Sequence, residues 1–109
     1  MCIRDRALRW ASYALENKHI WEGDMFVRKV SSLHKLRAEA SSKLWQNAEE
    51  AYSSDASRDN DAIAREYRGM AMDYAREWLD YNRAAGLDEE RAYNMCVAAA
   101  GTADYCDSH

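Results

Sequence analysis

SRDNDAIAREYRGMAMDYAREWLDYNRAAG, running from Ser57 to Gly86, decides the architecture. Its large apolar residues are Ile63, Tyr67, Met70, Tyr74, Trp78 and Tyr81, and Ala85 closes the row at steps of 4, 3, 4, 4, 3 and 4. Those steps average close to the helical repeat, so they predict one long α-helix with an aromatic-rich ridge on one side. Local chemistry marks both ends. Ser57 is the expected N-cap, and Asp59 and Asp61 fall in the first turn, where the helix dipole favours negative charge. Gly86 suits a left-handed residue just past the end, with Leu87 folding back towards Tyr81. Asp88 is the expected N-cap of the next helix, with Glu89 and Glu90 in its first turn.

Upstream, Ala7 to about Ile20 reads as a first helix with Leu8, Ala11 and Leu15 as its stripe and Trp10, Tyr13 and Ala14 beside it. So broad an apolar arc calls for more than one neighbour. Gly23 breaks the pattern, and Asp24 can cap the second helix. That helix runs from Met25 to about Tyr52, about 40 Å long at 1.5 Å per residue. It has two apolar faces: Phe26, Val30, Leu33, Leu36, Ala40, Leu44 and Ala51 on one, and Val27, His34, Ala38, Ser41, Trp45, Ala48 and Tyr52 on the other. Ser53 to Ser57 is the loop between the long helices. Glu89 to about Ala100 forms a fourth helix whose small face, Ala92, Cys96, Ala99 and Ala103, is expected against the Tyr67–Tyr81 ridge. Gly101 ends it, and Thr102 to His109 reads as a short turn or frayed tail.

The 109 residues suit one domain, and 48% hydrophobic with 31% charged residues is a globular composition. Proline is absent and there are only 4 glycines, so helices can run long. The expected fold is all-α: a small bundle of about four helices built on a long antiparallel helical hairpin, as a single domain over residues 7–107.

The opening hexapeptide Met1-Cys2-Ile3-Arg4-Asp5-Arg6 resembles a translated sequencing-library adapter. That resemblance implies that residues 1–6 are not native, that the chain is truncated at its N-terminus, and that its origin is metagenomic, from a bacterium or phage.

The net charge of −4 is unevenly spread: Met1–Trp45 holds 9 basic and 5 acidic residues, Gln46–His109 holds 6 and 14. Antiparallel helices would set these halves side by side, which is one use of the asymmetry. The other is a basic surface on the second helix, Arg28, Lys29, Lys35, Arg37 and Lys43, for nucleic acid; Glu39 interrupts it.

Asp55 to Glu66 resembles an EF-hand calcium loop, with Asp55, Ser57, Asp59 and Asp61 as oxygen ligands and Glu66 closing the shell. It departs from that pattern at Asn60, Ala62 and Ile63 and at Ser54 before the loop, and Ile63 and Tyr67 already belong to the ridge, which favours plain helix from about Arg58.

His34 lies on an apolar face with no second ligand one turn away, and His19 and His109 stand apart from it. Cys2, Cys96 and Cys106 are an odd count without zinc spacing, which makes a reduced, cytoplasmic setting the default. Cys96 then reads as a small buried hydrophobe and Cys106 as a free thiol, the alternative being a bond formed by reversal at Gly101. Asp73, Glu77 and Asp80 share a face with Arg76 and Arg83 interleaved, the pattern of a salt-bridged surface.

No nucleophile elbow, phosphate loop or dinucleotide fingerprint is present, so an enzyme is unsupported. No cofactor, metal or membrane contact is expected. The reading is a non-catalytic helical interaction or structural module that works through a protein partner or as a homo-oligomer. Its alternatives are a nucleic-acid-associated regulator using residues 25–52 and a calcium-responsive helix pair with its loop at 55–66.

Overall fold

The structure is a computed structural model and describes residues 3–16 and 25–107. Its helices are α1 (Ile3–Glu16), α2 (Met25–Ser54), α3 (Arg58–Ala85), α4 (Glu90–Ala100) and the single turn α5 (Asp104–Asp107), with no strand among the described residues. The protein is therefore an all-α bundle on a long α2–α3 hairpin. The expectations for Ile20, Gly23, Asp24, Cys2, His19 and His109 fall outside the described residues.

The two ends of α3 arise from their residues. Ser57 adopts an extended conformation and its hydroxyl accepts the Asn60 amide at 3.1 Å. Asn60 also closes the preceding turn, donating its side-chain amide to the Asp55 carbonyl at 2.8 Å. At the other end Gly86 sits at φ +72°. Its amide reaches the Arg83 carbonyl and the Leu87 amide reaches that of Asn82 at 2.9 Å, the paired bonds of a Schellman stop. α4 starts at Glu90, one residue later than expected, with Glu89 in the N-cap position and no side-chain cap; Asp88, the expected cap, stands one residue earlier and accepts the Glu90 amide at 3.1 Å. α1 already runs from Ile3, within the adapter-like segment.

Consecutive helices pack antiparallel: α1 on α2, α2 on α3, α3 on α4. The result is a slab of 49 × 33 × 16 Å. Its core falls into three clusters. Ala11, Ala14, Leu15, Val30 and Leu33 gather with Phe26, Leu36 and Tyr81. Leu8, Ala40 and Leu44 gather with Tyr67, Met70 and Tyr74. Ala38, Ala75, Trp78, Leu79, Ala92, Cys96 and Cys106 form the third, joined by Tyr74, Tyr93 and Tyr105.

The buried row of α3 is therefore not the large-residue ridge. It is Ala64, Ala71, Ala75, Trp78, Leu79 and Asn82, displaced about a quarter turn from Tyr67, Met70, Tyr74 and Tyr81 at 3.6 residues per turn. α4 seats its small face, Ala92, Cys96 and Ala99, on this row; of the expected ridge, only Tyr74 and Trp78 reach that cluster. The physical reason is interaxial distance: alanines let α4 approach α3 closely, while Tyr67, Met70, Tyr74 and Tyr81 pack against the clusters formed by α1 and α2. Ile63, the first member of the ridge, is exposed.

The C-terminal stretch departs most from expectation. Cys96 and Cys106 are joined by a disulfide, with Cα atoms 6.1 Å apart and both side chains buried. Residues 104–107 form a helical turn held on α3, the turn rather than the frayed tail of the two expected forms, and Cys106 is not the free thiol expected. Gly101 (φ +77°) reverses the chain so that Cys106 returns to Cys96.

Candidate functional site

Three arginines of α3, Arg68, Arg76 and Arg83, stand at steps of 8 and 7 and so share a side of the helix. All three donate to backbone carbonyls of the C-terminal segment. Arg68 reaches Ala99 O at 2.9 Å and Ala100 O at 3.1 Å, at the negative end of the α4 dipole. Arg76 donates to Tyr105 O and lies over the Tyr105 ring; Arg83 donates to Cys106 O at 3.0 Å. The salt-bridged surface read from the sequence also exists: Arg76 meets Asp80, Arg83 meets Glu89, and Glu77 meets Arg37. Asp73 instead accepts from the Tyr105 hydroxyl at 3.1 Å. The carbonyl contacts had no sequence signal beyond the 8 and 7 spacing, because a carbonyl target has no residue identity.

These contacts mark the phenols. Burial raises the Tyr105 phenol above its ordinary value, and its bond to Asp73 adds to that. A side-chain hydrogen bond to Asp107 is the largest cause raising Tyr93. Burial alone raises Tyr81, whose hydroxyl donates to Val27 O at 3.2 Å.

The basic residues of α2 divide: at 3.6 residues per turn Arg28, Lys29, Lys35 and Lys43 lie on one side of the helix and Arg37 on another. Arg37 turns to the α2–α3 seam, where its guanidinium pairs with Glu77 at 2.6 Å and lies 4.2 Å above the Tyr74 ring. Arg28, Lys29 and Lys43 are exposed and Lys35 is half-buried. His34 packs its ring edge-on to Tyr81 at 5.2 Å, as a packing residue.

Helix α3 begins at Arg58, so Asp59, Asp61 and Glu66 stand on a regular helix in place of a wrapped loop, and Asp61 pairs with Arg65. Ser57 spends its hydroxyl on the helix cap. Among the described residues, no group of three or more His, Cys, Asp or Glu side chains is arranged to hold a metal. Asp55, Ser57, Asp59, Asp61 and Glu66 are therefore not brought together.

A hollow of about 250 Å³ lies between α2 and the α3–α4 junction, lined by Arg28, Ser31, Ser32, Asn82, Leu87 and Asp88. Its central polar groups are engaged with one another. The Ser31 hydroxyl donates to Asn82 Oδ1 at 2.6 Å, and Asn82 Nδ2 donates to the Asp88 carbonyl at 2.9 Å. Asn82 thus ties α2, α3 and the turn before α4 together.

What the fold leaves on its surface is aromatic. Trp10 is 57% and Tyr13 67% exposed, one turn apart on the side of α1 away from Leu8, Ala11 and Leu15. Tyr52 and Ile63, near the hairpin tip, are also partly exposed. Of the broad apolar arc expected on the first helix, Ala14 joined the core; Trp10 and Tyr13 did not.

Compared with protein families, curated proteins and solved structures, the chain matches none. The class established is thus architectural: a small all-α bundle. No helix among the described residues is long and apolar enough to cross a membrane.

Proposed function

We propose that this chain is a non-catalytic helical interaction module that acts through protein contacts, self-association included. The observation that carries the reading is the exposed Trp10–Tyr13 pair on α1. Aromatic side chains are enriched at the cores of protein interfaces, where they bury large area at low entropic cost. Support also comes from the use of the polar groups: Arg68, Arg76 and Arg83 of α3, Asn82, Ser31 and Arg37 are committed to holding the fold. Its cytoplasmic setting, expected from the cysteine count, is weighed against by the Cys96–Cys106 bond, because cytosolic thiol systems keep such pairs reduced.

The test is sedimentation velocity over a wide concentration range, with the full chain and with a Trp10→Ser/Tyr13→Ser variant. The expected result is a wild type that associates as concentration rises and a variant that stays monomeric. A wild type that is monomeric throughout removes the self-association branch. Retention of the chain on DNA or RNA that falls steeply with salt replaces the reading with the nucleic-acid one.

A further inference from the structure

The Cys96–Cys106 bond closes a short ring over the most aromatic of the three core clusters. Cys96 lies on α4 and Cys106 on α5, ten positions on in the chain, and both are fully buried. Between them Gly101 turns the chain, and Tyr105 and Cys106 lie against the cluster of Ala75, Trp78, Leu79 and Ala92. α5 is a four-residue turn, far below the length at which a helix holds itself. Its other attachments include the Arg76 and Arg83 bonds to its carbonyls and the Tyr105–Asp73 bond, the last at the solvent-exposed edge.

We propose that this disulfide is a redox-controlled clasp: oxidised, it holds residues 101–107 over Trp78 and Leu79; reduced, it lets that segment open and present the aromatic surface beneath. Three physical facts support it. The ring is short, so the bond acts on this segment and leaves the α1–α2–α3 packing unconstrained. Both sulfurs are buried, so a thiol reaches the bond only during brief fluctuations of the oxidised segment, and its cleavage turns those fluctuations into lasting opening. Trp78, at 4% exposure, is the largest side chain of the cluster and its indole N–H has no hydrogen-bond partner, so uncovering it exposes both apolar area and an unused donor.

The step needs a dithiol reductant, small or protein-borne. One of its thiolates attacks the Cys106 sulfur, the Cys96–Cys106 bond breaks, and Cys96 leaves as a thiolate that takes up a proton. The second thiolate of the reductant then attacks its own sulfur in the mixed disulfide, closes the reductant's disulfide and releases Cys106, which is protonated. Two electrons and two protons pass to the chain.

The inference is independent of the Trp10–Tyr13 surface, and the full chain tests it. Protein purified without reductant is unfolded and titrated with a thiol reagent; one reactive thiol per chain, that of Cys2, is expected before dithiol treatment and three after. Native hydrogen exchange and chymotryptic cleavage after Tyr105 are then compared in the two states. On reduction, exchange over 101–107 and cleavage at Tyr105 are expected to rise on the order of tenfold to a hundredfold, the scale of ring-closure entropy at this separation. α2 and α3 keep their protection and the far-ultraviolet dichroism is unchanged. A Cys96→Ala/Cys106→Ala variant behaves as reduced protein with or without dithiol; if that variant fails to fold, reduced wild type alone carries the comparison. Three thiols before reduction, unchanged protection over 101–107 after it, or loss of the whole bundle on reduction each overturns the clasp.

Discussion

Asn82 is the residue on which three elements converge. It is 4% exposed, accepts from Ser31 of α2 and donates to the carbonyl of Asp88 ahead of α4. A buried amide is tolerated only when both ends are bonded, and removing it leaves the partners unsatisfied. Asn82→Ala is therefore expected to destabilise the chain by about 1–3 kcal/mol in urea unfolding. In a double-mutant cycle with Ser31→Ala, the coupling is expected near 0.5–1.5 kcal/mol. The phenols give a second expectation. Tyr81 and Tyr105 are raised from 10.0 in the folded state, chiefly by burial. The unfolded chain then loses those protons first, so their stabilisation is complete below the unfolded value and is lost as pH rises through the folded one. Phenolate absorbance should show these two titrating later in native than in unfolded protein. Tyr105→Phe should make the native curve earlier and its alkaline stability loss shallower.

At the scale of elements, the caps of α3 and the buried faces of α1, α2 and α4 were legible, and the buried face of α3 was not. Ser57 and Gly86 act through bonds made within a few residues, so their types alone place both ends of α3. Which side of α3 is buried depends on how closely α4 approaches, and Ala71 and Ala75 set that distance while contributing little to an apolar pattern dominated by Tyr67, Met70 and Tyr74. The disulfide stayed hidden because a ten-residue separation fits two free cysteines as well as a bonded pair; only the reversal at Gly101 decides it. Two glycines, one inside α3 and one at its stop, test the cap argument with opposite signs. A Cβ at Gly86 meets nothing within 4 Å, so Gly86→Ala bears only the left-handed backbone cost at φ +72°. That cost is about 1–2 kcal/mol, partly offset by the stiffer unfolded chain. Gly69 lies within the helix and its Cβ likewise meets nothing within 4 Å, so Gly69→Ala should gain close to 1 kcal/mol of helix propensity. In thermal melts the first is expected to fall and the second to rise, each by about 4–8 °C per kcal/mol.

For the whole molecule, thickness governs what is buried. A slab 16 Å thin has little interior, so part of its aromatic content stays at the surface. The sequence pattern carried the four longer helices and their pairing, since consecutive amphipathic segments pack on one another, and missed the single turn α5. It did not separate aromatics that complete the core from those left outside, because the exposed Trp10 has more apolar sequence neighbours than the buried Trp78. Stability and association should therefore separate cleanly between two positions. Leu79 is fully buried between α3 and α4, and Leu79→Ala is expected to cost about 2–5 kcal/mol of stability through the cavity it leaves. Trp10 is 57% exposed, and Trp10→Ala is expected to change stability by no more than about 0.5 kcal/mol. The same change should weaken association by about 2 kcal/mol, roughly thirtyfold in dissociation constant, as removal of an aromatic anchor does at an interface centre. Urea unfolding at low protein concentration measures the first quantity and sedimentation equilibrium the second. A Trp10→Ala chain that unfolds as easily as Leu79→Ala, or that associates as well as wild type, places Trp10 in the bundle's own packing and removes it from any interface.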